Sequence, residues 1–132
     1  MNLSSSLVDE MVEHARACFP NEACGLLVGA GRASVVTFHR CANVDASPSS
    51  FTIDPTDHYR AMKQADGAGM EITGVFHSHT HSAPYPSPTD RRQASDPEWV
   101  HLILGMADVA QPELRAWWLE DGKLTEEPLV VE

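Results

Sequence analysis

Residues 72–81 read Ile72-Thr73-Gly74-Val75-Phe76-His77-Ser78-His79-Thr80-His81, and residues 84–90 follow as Pro84-Tyr85-Pro86-Ser87-Pro88-Thr89-Asp90. The run over residues 72–76 is apolar and short, which predicts a buried strand leading into the histidines. Side chains two apart on a strand share a face and stand about 6.5–7 Å apart, so His77 and His79 can lean onto one ion. The prolines impose a loop, and Ser87-Pro88-Thr89-Asp90 predicts a helix start: a capping hydroxyl, proline at the first helical position, and an acid in the first turn. A short helix is expected over residues 89–94.

Outward from this stretch the chain alternates helices and strands. Leu7, Met11, Ala15 and Cys18 recur at helical spacing behind a cap at Ser6 with Asp9 in the first turn, and Pro20 closes that helix. Residues 23–28 and 34–38 flank Gly29-Ala30-Gly31 and read as a hairpin. A polar loop over residues 43–50 and a brief strand over 51–53 lead to Asp54-Pro55, a second helix start. That helix runs to about Asp66, with Tyr59 and Met62 at i, i+3, and ends at Gly67 and Gly69. Residues 99–106, 114–119 and 124–131 read as three closing strands, the last two joined at Asp121-Gly122, a hairpin turn signal. The fold class expected is α/β (α+β): one domain over residues 1–132, a mixed, mostly antiparallel central sheet flanked by helices.

The 132 residues carry 9 basic and 19 acidic side chains, a formal charge of −10. With Arg91-Arg92 as the only local basic pair, a nucleic-acid partner is not expected. Cys18, Cys24 and Cys41 form no C-x-x-C pair and read as reduced, partly buried thiols. The N-terminus lacks the pattern of an export signal, and no apolar run approaches bilayer length, so a cytoplasmic protein with no membrane partner is expected.

His77, His79 and Asp90 together make a His₂-carboxylate set. Three protein ligands leave a fourth tetrahedral position open, the pattern of a catalytic rather than a structural zinc site. Each piece also has a plain structural reading. A His-x-His at a strand end is often solvent-facing decoration, Ser87 and Asp90 are fully explained as a helix start, and Glu22 alone reads as an exposed turn residue. It is the conjunction of four suitable groups at this spacing, plus a carboxylate entering an apolar strand, that points to chemistry. His81 continues the i, i+2 series but is expected at the rim, because the proline loop begins there and Asp90 fills the third place. Asp96, His101 and His58 have no spacing that recruits them and read as structural.

Glu22 followed by His77-x-His79-x7-Ser87-x2-Asp90 resembles the full motif of the JAMM (MPN+) metalloproteases, and Asn21-Glu22-Ala23-Cys24-Gly25-Leu26-Leu27-Val28-Gly29 resembles that family's first-strand signature. The likeness spans nearly the whole chain and implies a JAMM/cytidine-deaminase-like sandwich. It implies one Zn²⁺ per chain on His77, His79 and Asp90, Glu22 as general base then acid, and Ser87 as oxyanion donor. His77-Ser78-His79-Thr80 with Tyr85-Pro86-Ser87-x-Thr89-Asp90 is most similar to the bacterial Mec-like branch. That branch implies a small ubiquitin-like sulfur-carrier partner ending in Gly-Gly, from which the enzyme would, for example, release cysteine. A monomer or dimer is expected. Thr80 stands where eukaryotic deubiquitinases have proline, and the chain is too short for their ubiquitin-binding insertions. Four rivals stand beside this reading. A zinc deaminase needs His-x-Glu and C-x-x-C, both absent here. A thiol hydrolase would use Cys24, which lies among apolar neighbours that favour an inert thiol. A non-catalytic MPN-type binding module with structural zinc, or a JAMM peptidase acting on small peptides, completes the set.

Overall fold

The computed structural model describes residues 1–94 and 96–132. The first helix, α1 (Ser5–Cys18), is capped by Ser4, whose hydroxyl accepts the Leu7 N–H at 3.2 Å. The cap therefore lies two residues before the expected Ser6, which leaves no acid in the first turn. Ser4 holds an extended backbone, as a capping residue must, whereas Ser6 is already helical. Leu7, Met11 and Ala15 are buried at the spacing the sequence predicts.

Strand β2 (Cys24–Gly29) is buried throughout and pairs antiparallel with β3 (Thr37–Cys41), from Cys24 opposite Cys41 to Val28 opposite Thr37. The hairpin forms, but its second arm starts at Thr37 rather than Ser34. The Ser34 backbone instead folds onto Gly29, where a Cβ would lie only 2.0 Å from the Ser34 carbonyl oxygen. The brief strand expected over residues 51–53 is reduced to one bridge between Asn43 and Ile53.

In the second helix, α2 (Pro55–Gly67), Asp54 caps with Pro55 at the first helical position, as its sequence signal requires. The buried face is Ala61 and Ala65. Tyr59 and Met62, the large side chains at i, i+3, are 59% and 45% exposed. Two alanines at i, i+4 let the helix lie close to the sheet, which leaves no room there for large side chains.

Strand β4 (Glu71–His79) continues beyond the expected residue 76 and carries both His77 and His79. It pairs antiparallel with β2 and parallel with β5 (Val100–Gly105). The sheet closes with β6 (Glu113–Glu120) and β7 (Lys123–Glu127), joined by Asp121 and Gly122, both at positive φ. The six-stranded order is β3-β2-β4-β5-β6-β7, and only β4 and β5 are parallel. The mixed, mostly antiparallel sheet expected from the sequence is therefore present. The last expected strand, 124–131, is divided at Pro128, which has no N–H to give a ladder. Beyond it β8 (Val130–Val131) pairs in parallel with β1 (Asn2–Leu3) as a separate two-stranded sheet.

Helix α1 packs with Leu27, Phe76, Leu102, Leu104 and Ala116 on one face of the large sheet. Cys24, Leu26 and Ala61 pack together on the other. Paired residues share a face, so His77, opposite Cys24, lies on the α2 side. Parallel neighbours cannot be joined by a tight turn. The β4–β5 connection is a long crossover bearing α3 (Pro88–Gln93), and it brings Ser87 and Asp90 back over the end of β4. Among the described residues no helix is long and apolar enough to cross a membrane.

Candidate metal centre

His77 and His79 end β4 on one face, and Ser78 between them points to the other. The Ser78 hydroxyl accepts the Ala23 N–H at 2.8 Å, while Ser78 N–H donates to the Ala23 carbonyl at 3.0 Å. This clasp fixes the residue beside Glu22 to the residue between the two histidines, across 55 positions of sequence. Sequence spacing treats Ser78 as filler, although a hydroxyl inside an apolar strand was its signal. Ser78→Ala should leave the Ala23 N–H buried and unmatched, lowering stability by about 1–3 kcal/mol in denaturant titration. An unchanged midpoint would show that the N–H finds another acceptor.

His77 Nε2 and His79 Nε2 lie 3.2 Å apart, and Asp90 Oδ2 is 3.2 Å from the first and 3.0 Å from the second. Asp90 is held by a capping box. Ser87 Oγ accepts the Asp90 N–H at 3.1 Å, and Ser87 N–H donates to Asp90 Oδ2 at 2.9 Å. Because the hydroxyl oxygen acts here as acceptor, its proton remains free to donate elsewhere. His79 Nδ1 donates to the Ala83 carbonyl at 2.9 Å, so a neutral His79 presents a bare Nε2 to the carboxylate. The His77 ring stacks on Phe51, centroids 4.4 Å apart.

Three electron-rich atoms converging in this way require positive charge between them. With no ion present the demand falls on protons. Burial works to lower the His79 pKa, but the Asp90 hydrogen bond and the Ala83 carbonyl outweigh it and raise it. Burial likewise works to raise Asp90, yet the hydrogen bonds from His77 and His79 hold it well below the usual carboxylate range. A divalent cation answers the same demand. Ligands bonded at 2.0–2.1 Å on a tetrahedron stand about 3.3–3.4 Å from one another. The observed 3.0–3.2 Å spacing needs only a few tenths of an ångström to open. These residues could hold a metal ion.

Glu22 is 5% exposed, not the open turn residue its local sequence suggests. Asn43 draws the loop after β3 around it. The Asn43 amide donates to the Glu22 and Ser50 carbonyls, its oxygen accepts from the Asp45 and Thr52 N–H groups, and Glu22 N–H donates to the Ser47 carbonyl. Burial pushes the Glu22 carboxyl up to about 7; Asp90 and Asp45 push the same way and His79 opposes them. Glu22, His79 and Ser87 line one cavity of about 370 Å³. A second cavity of about 280 Å³ reaches His77 and Asp90 from the side of Phe51, Ile53, Val75 and Trp99. The structure thus gathers all five residues the sequence singled out around these two adjoining cavities.

A family model described as prokaryotic homologs of the JAB domain matches residues 4–120. The chain belongs to this family. It is 35% identical to the CysO-cysteine peptidase of Mycobacterium tuberculosis, an alignment covering 98% of this chain and 89% of that protein. It is 37% identical to the desampylase of Haloferax volcanii over 78% of each chain. A protein from Desulfitobacterium hafniense, solved in solution, superposes with a TM-score of 0.90 at 33% identity, covering 99% of this chain and 92% of that one.

The remaining polar residues of this JAB-domain protein separate by environment. His81 is exposed and meets Phe19 edge-on with centroids 5.9 Å apart; it lines the cavity of Glu22, His79 and Ser87 but is not one of the three converging ligands. His58 packs against Trp99. Burial and the neighbouring Cys41 push the Cys24 thiol up to about 12, so it is no nucleophile near neutral pH. Asp96 and His101, which spacing did not recruit, line the cavity behind His77.

Proposed function

We propose that this JAB-domain protein is a zinc-dependent peptidase that hydrolyses the bond after the C-terminal Gly-Gly of a small ubiquitin-like sulfur-carrier protein, for example releasing cysteine from a carrier–cysteine adduct. The observation that carries this reading is the convergence of His77, His79 and Asp90 on one point, with Glu22 and Ser87 bordering it in a single cavity. The names of the mycobacterial and haloarchaeal relatives support the substrate class.

His77, His79 and Asp90 would hold the ion, which would supply Lewis acidity at the scissile carbonyl. Glu22 takes a proton from the attacking water as the C–O bond forms. It gives that proton to the leaving nitrogen as the C–N bond breaks, so the products are a carboxyl group and a free amine. A carboxyl poised near neutrality suits both halves of this exchange. Ser87 donates its free hydroxyl proton to the oxyanion, while the backbone of α3 holds the oxygen in place. Asp90 ties the two roles together, since the box that positions Ser87 also aims the ligand oxygen.

Incubation with a carrier–cysteine adduct, read by intact mass, tests the reading. The expected result is loss of cysteine to leave the Gly-Gly carrier, abolished by chelation and restored by Zn²⁺. An adduct left intact by the zinc-loaded protein would contradict the substrate assignment, and cleavage in excess chelator would contradict the metal.

A further inference from the structure

Glu22 gives its proton to the leaving nitrogen, so the departing group must lie within reach of that carboxyl. Of the two cavities that meet at the ligands, Glu22 borders the one of about 370 Å³, with His79 and Ser87, and not the one behind His77. The departing group therefore occupies the Glu22 side. The volume is that of a small-molecule site.

The chain builds the walls of this cavity with specific contacts. Thr80 is buried, and its hydroxyl donates to the Pro48 carbonyl at 2.9 Å, tying the end of β4 to the loop after β3. Both residues line the space. His81 follows at the rim, where Phe19 braces its ring edge-on with centroids 5.9 Å apart. Neither ring nitrogen of His81 has a hydrogen-bond partner among the described residues, and the adjoining Ser82 hydroxyl has none either. The other hydroxyls are engaged: Thr80 on Pro48, Ser49 with Ser47 at 3.3 Å, and Ser87 at the oxyanion. The free donors of the lining are thus an imidazole, which carries at least one N–H in either protonation state, and one hydroxyl.

The reaction proposed above releases a single amino acid. Such a leaving group bears an α-carboxylate one carbon from the nitrogen that Glu22 protonates, whereas the side-chain nitrogen of a lysine has no carboxylate so near. A carboxylate only accepts hydrogen bonds, and it binds most strongly where donors face it. We propose that His81, with Ser82 beside it, binds the α-carboxylate of the departing amino acid. His81 is then the residue that selects a one-residue extension of the carrier over a longer peptide or a lysine isopeptide. This assignment rests on the peptidase reading and deepens it by naming the part of the leaving group that is recognised.

Two adducts of the Gly-Gly carrier test it, one ending in cysteine with a free carboxylate and one in cysteine carboxamide. Both present the same scissile bond and the same leaving nitrogen. The zinc-loaded wild type should cleave the acid with a kcat/KM about 10–100-fold above that of the amide, the range of a hydrogen bond to a charged group. His81→Ala should erase the preference by slowing the acid alone, and His81→Arg, which restores N–H donors, should recover most of it. Binding gives the same comparison without turnover. In a Glu22→Gln background, where the adducts stay uncut, the acid should bind more tightly than the amide by a similar factor, and the two should bind alike once His81 is alanine. Equal cleavage of acid and amide by the wild type would overturn the inference. So would an equal loss on both substrates in His81→Ala, which would place the residue in support of His79. Faster cleavage of a lysine-linked adduct than of the acid would give the cavity to an isopeptide and overturn it as well. Cleavage of neither adduct by the zinc-loaded wild type would instead remove the peptidase reading, and this assignment with it.

Discussion

Glu22→Gln is expected to lower kcat by about 10²–10⁴-fold while leaving metal content and fold intact, because the amide keeps the shape of the side chain but cannot carry a proton. The loss should fall on kcat rather than KM, since Glu22 acts on the proton in flight and not on the bound tail. Turnover retained by the variant would remove Glu22 from the mechanism. The same substitution should also alter stability. In the metal-free protein burial raises Glu22 from its ordinary value of 4.5 to about 7. A carboxyl with a raised folded pKa favours the folded state fully below the unfolded pKa and loses that contribution as pH rises through the folded one. Between about pH 4.5 and 7 the wild type should therefore lose stability relative to Glu22→Gln, by up to about 3 kcal/mol at the upper end. Denaturant titrations at pH 4, 6 and 8 give the comparison, and parallel curves would show that the carboxyl is not desolvated.

Asp90→Asn is expected to have the second large effect, on metal binding itself. Asparagine keeps an oxygen for the Ser87 N–H, so the cap of α3 should survive, whereas the charge facing both imidazoles is lost. Zinc affinity should fall by more than the about 10–100-fold that loss of an outer partner costs, and hydrolysis should fall with it. The apo variant should also lose the proton shared in the cluster, so His79 should titrate lower than in the wild type. Unchanged zinc affinity would leave Asp90 as a capping residue alone.

How much of this was legible in sequence depended on the range of the interaction. His77 and His79 follow from the two-residue period of a strand, and Ser87 and Asp90 from the local grammar of a helix start; both are contacts within a few residues. Glu22 is different. Its place beside His79 depends on β2 pairing with β4, on the Ser78 clasp and on the Asn43 loop, none of which a local window contains. His101 was passed over for the same reason, since its closeness to His77 is set by parallel strand pairing. The elements misjudged were those where packing overrides pattern. The large side chains of α2, Tyr59 and Met62, stay exposed, and its alanines take the sheet. Pro128 divides a strand that hydrophobicity alone would continue.

The central claim is that one metal ion on His77, His79 and Asp90, served by Glu22, cuts the bond after a Gly-Gly tail. Its most direct test is to titrate Zn²⁺ into chelator-stripped protein while following hydrolysis of the carrier–cysteine adduct by mass. The rate should rise in proportion to zinc, level off at one equivalent per chain, and stay near zero throughout in Glu22→Gln. Hydrolysis by the stripped protein, or a rate that climbs well past one equivalent, would contradict it.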